Sequence, residues 1–260
     1  TSANPVGAEF DGTSTAYGGI SPVINGNSNQ IFGPEKNTSA EIGTKWELFD
    51  RHLLLTAALF QTTKDNAREA FNITQTTQTA SCPYTANAGN QSCILAGAAY
   101  YVRGIDLGVG GKITDKWSVF GGLVLMQSKV TKSNIPPNLM PDPALYTTNV
   151  GLQLANVAHQ SFSLLSKYQL NDTWELGGQA VYRSKIYGGT LLAANQGTSI
   201  PSYWRFDAFA EAKINQNWRV KLFVNNIFDK RYYDALYQSS APFVLEAPGR
   251  AAYLVVSARF

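Results

Sequence analysis

Hydrophobic and polar residues alternate with period two along much of the chain. In 173–186, Trp174, Leu176, Gly178, Ala180 and Tyr182 fall on one side, and Glu175, Gly177, Gln179, Val181 and Arg183 on the other. This is the signature of a strand with one apolar and one mostly polar face. The pattern returns with Trp204, Phe206, Ala208, Ala210, Ala212 and Ile214 against Arg205, Asp207, Phe209, Glu211 and Lys213. It returns again with Trp218, Val220, Leu222 and Val224 against Arg219, Lys221, Phe223 and Asn225. The chain ends on Ala252, Leu254, Val256, Ala258 and Phe260 against Tyr253, Ser257 and Arg259. About nine strands are predicted, at 39–49, 53–66, 99–113, 117–130, 159–170, 173–187, 203–214, 217–231 and 250–260. Most are longer than the roughly 5–6 residues usual in soluble sheets.

The connections alternate in length. Short polar turns lie at 49–52, 114–116, 171–173 and 215–217, and long loops rich in Gly, Pro, Ser and Asn at 67–98, 131–158, 188–202 and 235–249. Residues 1–38 form a further long loop leading into the first strand. Trp117, Trp174 and Trp218 each follow a short turn closely, on the apolar side. A soluble sandwich has no reason to keep Trp at one rim. A membrane boundary does, because the indole body is apolar and its N–H wants water. Long strands, an aromatic girdle and turns of unequal length on the two sides predict an all-β, antiparallel transmembrane barrel. Lipid offers no hydrogen bonds to the backbone, so only helices and closed sheets cross it. Trp204, Phe206, Leu222, Val224, Leu254 and Val256 are then expected to face lipid, and Arg205, Glu211, Lys213, Arg219 and Lys221 the lumen. Bacterial barrels normally have even strand numbers, so nine strands predict the C-terminal portion of a larger barrel.

Composition narrows the alternatives. Charged residues are 15% and aromatics 12% of 260, which excludes a disordered chain. A net charge of +3 without a basic run gives no footprint for nucleic acid. The longest apolar run, Leu53 to Phe60, is broken by Thr56 and is far short of the ~20 residues of a membrane helix. The first residues have no basic and apolar leader pattern and no initiator Met, as though internal to something longer. Cys82 and Cys93 share a polar loop without enough His or Cys nearby for zinc. An extracellular disulfide is expected, with two exposed thiols as the alternative. The stretch 104–112 (GIDLGVGGK) fails the P-loop template: Asp106 holds the first Gly position and Ile113 follows Lys112. Its glycines read as places of close strand approach. His52 and His159 have no triad partners, and Asp207 and Glu211 lie among Arg205 and Lys213, as lumen ion pairs would. No enzyme is expected.

Three stretches resemble the C-terminal part of TonB-dependent siderophore receptors. The first, 33–49 with 53–68, carries Pro34, Glu35, Glu41, Gly43 and Lys45 of a P-E-x-(S/T)-x-x-x-E-x-G-x-K strand. The second, 103–117, is similar to the R-G-x-E strand and T-D-x-W turn, with Asp106 in place of the more frequent Glu. The third is 222–233 (LFVNNIFDKRYY) with the P-G-R loop and terminal aromatic strand at 248–260. The resemblance spans nearly the whole chain. It implies a barrel of 22 strands in a Gram-negative outer membrane, nearest to ferric-catecholate receptors, whose plug domain is absent from 1–260. Its implied partners are the lipid bilayer and lipopolysaccharide, the TonB-ExbB-ExbD system acting through that plug, and a ferric siderophore as transported ligand. No bound cofactor is implied.

Ferric siderophores are bulky and often anionic, so Arg supplies charge and donors, and aromatics stack on flat chelating groups. The candidate contacts are Tyr84, Tyr101, Arg103, Tyr187, Tyr237, Phe243 and Arg250. The plain alternative for each is an upper aromatic belt or loop packing. At the level of the whole protein, the alternatives are a receptor for haem or cobalamin, a structural or adhesive barrel, and a soluble carbohydrate-binding sandwich.

Overall fold

The computed structural model describes residues 34–73, 91–135, 148–189, 192–237 and 243–259. Its strands are β1 (Lys36–Leu48), β2 (Leu53–Ile73), β3 (Gln91–Lys112), β4 (Trp117–Lys132), β5 (Gln160–Gln169), β6 (Trp174–Arg183), β7 (Ile186–Gly189), β8 (Ala194–Ile200), β9 (Tyr203–Lys213), β10 (Trp218–Asn225), β11 (Tyr233–Tyr237), β12 (Phe243–Glu246) and β13 (Ala251–Ala258). Nine of them form one antiparallel sheet in the order β1-β2-β3-β4-β5-β6-β9-β10-β13. These are the nine expected strands, with altered ends.

Three of those alterations have a tertiary origin. β2 and β3 run on through 67–73 and 91–98, which the pattern assigns to a loop. There Ala67 and Ala98 are buried against Val130, Leu192 and Ala193, so a loop covers strands whose own sequence is weakly patterned. The long connections after β6 and β10 hold the small hairpins β7-β8 and β11-β12. β10 ends at Asn225 rather than near 231, because Asn226 turns the chain with φ of 50°. Its side chain accepts from Lys230 N–H at 2.9 Å and donates to Lys230 O at 3.0 Å and Pro248 O at 3.4 Å. The N-N-x-F-D motif is therefore a turn pinned by the buried Asn226, with Phe228 exposed.

Directly paired residues share a face, and the register keeps the faces separate across the sheet. One row runs Trp46–Leu55–Val109–Gly121–Leu164–Ala180–Phe206. The adjacent row on the other face runs Lys45–Thr56–Gly108–Gly122–Ser163–Val181–Arg205. Leu176, Ala210, Leu222 and Leu254 continue the apolar face, and Glu211 lies opposite Lys221 on the polar one. The expected division of residues between the two faces holds for every member named above. Leu254 and Val256 are 67% and 54% exposed.

The short turns gather at one end, each beside an outward Trp: Trp46, Trp117, Trp174 and Trp218. Toward the other end, Trp204 packs with Tyr182, Phe162 and Phe206 at centroid separations of 4.8, 5.8 and 5.8 Å. Ala212 pairs with Trp174, so eight residues separate the two aromatic levels along β9. At ~3.4 Å per residue and a tilt of ~40°, the vertical separation is roughly 21 Å, near the ~25 Å apolar band of an outer-membrane barrel.

Candidate functional site in the lumen-facing Arg–Tyr cluster

At the long-loop end, the polar face of β6 and β9 meets the segment that follows the Asn226 turn. Arg183 closes β6 opposite Tyr203, the first residue of β9. Tyr203 packs on Tyr232 at 4.3 Å between centroids, and both rings are buried with Ala247 against Val181. Arg183 stands 5.0 Å from the Tyr203 ring. It donates to Asp234 O at 2.7 Å and Tyr233 O at 2.6 Å, and its charge faces the Asp234 carboxylate at 3.8 Å. Arg205 pairs with Asp207 at 3.0 Å and donates to the Tyr232 hydroxyl at 3.4 Å. Asp207, 6% exposed, also accepts the Asn226 N–H at 2.8 Å. Two guanidinium groups and two tyrosines are thus held in place by main-chain carbonyls and one buried carboxylate. Arg205 and Arg183 keep 30% and 20% of their side-chain surface, leaving a cationic platform on the inner face, backed by the buried tyrosine pair.

Lower on that face, Phe209 lies over Gly177, where any Cβ would run into its ring. Lys221 stands 3.9 Å from the Phe209 ring centroid. Glu211 pairs with Arg219 at 3.4 Å and Lys221 at 3.5 Å, and Glu175 with Lys167 at 3.7 Å. The acids there sit in ion pairs, as expected. The Gly104 strand approaches β4 so closely that a Cβ would collide with the Leu125 carbonyl oxygen. That accounts for the glycine of the R-G-x-D motif without a phosphate loop.

The predicted contact residues are scattered. Tyr84 and Cys82 lie outside the described residues. So does the Cys93 side chain, although in β3 its backbone pairs with Phe71 of β2; the expected disulfide therefore also lies outside them. Tyr101 and Arg103 share their face with Ile105 and Leu107, so they sit on the outer face and not toward the lumen. Tyr187, half-buried, has the Lys185 ammonium 4.6 Å from its ring. Tyr237 pairs with Phe243 in the β11-β12 hairpin; Phe243 is 50% exposed, and the Tyr237 side chain is outside the described residues. Arg250 is exposed, with its N–H on Asp229 Oδ1 at 2.7 Å. The residues that do converge are Arg183, Tyr203 and Tyr232. Their only local signal was Arg183 at a strand end and a Tyr pair after the N-N-x-F-D turn.

The family description "TonB dependent receptor-like, beta-barrel" matches residues 3–227. The chain belongs to this family. It is thereby a portion of a receptor barrel of the Gram-negative outer membrane. It is 37% identical to the probable TonB-dependent siderophore receptor PiuA of Acinetobacter baumannii over 100% of its length and 31% of that protein's. It is 30% identical to the catecholate siderophore receptor Fiu of Escherichia coli over 80% of its length and 24% of Fiu's. The crystal structure of the Acinetobacter PiuA receptor superposes with a TM-score of 0.70 and 33% identity, covering 90% of this chain and 30% of that one. The ferripyoverdine receptor of Pseudomonas aeruginosa shares the fold, at a TM-score of 0.64 and 19% identity, over 89% of this chain and 28% of that one. The chain thus spans about a third or less of the length of these relatives.

Proposed function

We propose that residues 1–260 are the C-terminal section of the barrel of a receptor that captures a ferric siderophore and imports it with energy from the TonB system. In this reading an extracellular loop leads into the first strand, ending before Lys36 and not at 38 because Lys36–Thr38 already pair in β1, and a plug domain belongs to the rest of the receptor. The observation that carries the reading is the sheet itself. It is apolar on one face, charged on the other, and ends at β1 and β13 without a partner among the described residues. In lipid each bare backbone group costs several kcal/mol, so further strands must close the barrel around the charged face. The siderophore receptors PiuA and Fiu support the cargo, and the Fiu similarity supports a ferric catecholate. The Arg183–Tyr203–Tyr232–Arg205 cluster suits such a cargo, with two cations for its anionic groups that the buried tyrosine pair helps to hold in place. Tyr84, Tyr187, Tyr237, Phe243 and Arg250 would add contacts from the loops. TonB-ExbB-ExbD would act through the plug, and bilayer lipid and lipopolysaccharide would meet the outer face. The chain performs no covalent chemistry in this account.

Radio-iron uptake by an iron-starved cell tests it. A strain lacking the receptor should lose uptake of a ferric catecholate and regain it from the complete gene but not from a copy lacking TonB coupling. Unchanged uptake in the deletion strain, with loss of haem or cobalamin uptake instead, would replace the cargo.

A further inference from the structure

The two arginines of the platform are held with different firmness. Arg205 places Nε and Nη2 on one oxygen of Asp207, at 3.2 and 3.0 Å. That carboxylate is buried and also accepts the Asn226 N–H. Arg183 has no buried acid. Its Nη1 and Nη2 donate to the main-chain carbonyls of Asp234 and Tyr233. Its one carboxylate partner among the described residues is Asp234 itself, 3.8 Å away on a side chain that is 66% exposed. Arg183 Nε is buried with no hydrogen-bond acceptor among the described residues, although nearly all buried polar groups find one.

An irregularity in β11 creates this contact. Tyr233 pairs with Glu246 and Ala235 with Leu245, so Asp234 is the extra residue of a bulge. A bulge bends its strand and re-aims the residue it adds. Here it brings the Asp234 carbonyl and carboxylate onto one guanidinium. Farther along β11, Leu236 is buried against Ile186 and Ile200 of the β7-β8 hairpin, so the strand keeps an anchor that does not depend on Arg183. The two carbonyls present a pair of neighbouring oxygens to the Arg183 fork, as the two oxygens of a catecholate also would. The difference is charge. An anionic oxygen pair on a guanidinium fork combines matching geometry with opposite charge, whereas the carbonyls are neutral and an exposed carboxylate at this distance is a weak partner.

We infer that Arg183 is the residue by which the receptor selects an anionic cargo, and that Asp234 is an internal anion that occupies it until such a cargo displaces it. The inference rests on the siderophore-receptor reading and adds an exchange at that site: Arg183 gives up its contacts with β11 and takes two oxygens of the chelate, while Arg205 stays with Asp207. An uncharged chelate gains too little at the fork to drive the exchange.

Quenching of tryptophan fluorescence in the complete receptor in nanodiscs measures the affinity for a trianionic iron(III) tris-catecholate and for an uncharged iron(III) tris-hydroxamate. The catecholate should bind at least about tenfold more tightly, and R183Q should weaken it by about tenfold or more, as loss of a hydrogen bond to a charged group does. R183K keeps the charge without the fork and should recover only part of that loss. D234N removes the competitor and should tighten the catecholate by up to about fivefold, the scale of an exposed ion pair. In the R183Q background D234N should give little or no gain. An equal gain there would mean that Asp234 acts through its field alone and would overturn the inference, as would equal affinity for the two chelates or full recovery by R183K. Catecholate binding that R183Q and D234N leave unaltered removes the exchange and keeps the cargo reading. Failure of the unaltered receptor to bind the catecholate removes the cargo reading and the exchange with it.

Discussion

The two ends of the sheet are built from contacts of different range. At the short-turn end, Asn171 Oδ1 accepts the N–H groups of Thr173 and Trp174 at 2.9 and 2.8 Å. Asn215 Oδ1 does the same for Asn217 and Trp218, at 2.9 Å each. Thr114 Oγ1 accepts from Trp117 N–H at 3.1 Å. The 49–52 turn instead passes through Phe49, Asp50 and Arg51 in the left-handed region. Every one of these contacts spans two or three residues. At the long-loop end, the partners are far apart in sequence. Glu69, 1% exposed, takes hydrogen bonds from Ser133 Oγ, Asn134 N–H and Asn149 Nδ2 at 2.8, 2.8 and 3.2 Å. Glu35 reaches Lys64 at 2.6 Å and Arg68 N–H at 3.1 Å. The turns are local devices that any strand pair could use. The loop end is particular to this chain, and the Arg–Tyr platform depends on it.

The largest effect should come from the band that separates the ends. Ala208 pairs with Gly178 and Val224 on the outer face, midway between Trp204 and the level of Trp174. Ala208→Arg in the complete receptor should cost about 2–4 kcal/mol, read as a shift in denaturant midpoint in bilayers; no shift would mean that the face does not meet lipid. Next comes the long-loop end. Glu69→Ala strands two amide donors and a hydroxyl, for about 1–3 kcal/mol, and should speed hydrogen exchange at the Asn134 amide while the sheet stays protected. Unchanged exchange there would show that Glu69 does not hold this end.

Smaller effects belong to single local contacts. Asn171→Ala should cost about 1 kcal/mol, with Asn171→Asp restoring most of it. A loss as large as that of Glu69→Ala would erase the distinction between the ends. Burial alone would raise the Glu35 pKa, but the hydrogen bond from Lys64 and the Arg68 N–H outweigh it and hold it below its ordinary 4.5. A lowered carboxyl pKa stabilises the folded state above the ordinary value, and that stability is lost as pH falls through the lowered one. Glu35→Gln should therefore flatten the acid limb of stability, by less than about 1 kcal/mol for a partly exposed pair. An identical acid limb in the variant would show that the pair does not couple to folding. Lys213→Gln, exposed at the end of β9, should leave stability unchanged, and a loss comparable with that of Ala208→Arg would reverse the two faces.

Sequence alone determined the nine strands of the main sheet (apart from their ends), their faces and the turn end. All three are set by interactions of period two or by side chains capping their own turn, and such signals need no knowledge of the rest of the chain. It also showed that charged residues would gather opposite the apolar face. Tertiary structure alone decided that β2 and β3 continue under a covering loop, since Ala67 and Ala98 become core only when Leu192 and Ala193 arrive over them. It decided that Arg103 and Tyr101 point outward, because their face follows from uninterrupted pairing with Gln127 and Lys129 and not from their chemistry. It also brought Arg183, Tyr203 and Tyr232 together. Tyr232 lies 29 residues beyond Tyr203 (232 − 203), and their meeting depends on where the Asn226 turn directs the chain, a long-range outcome that no local pattern encodes.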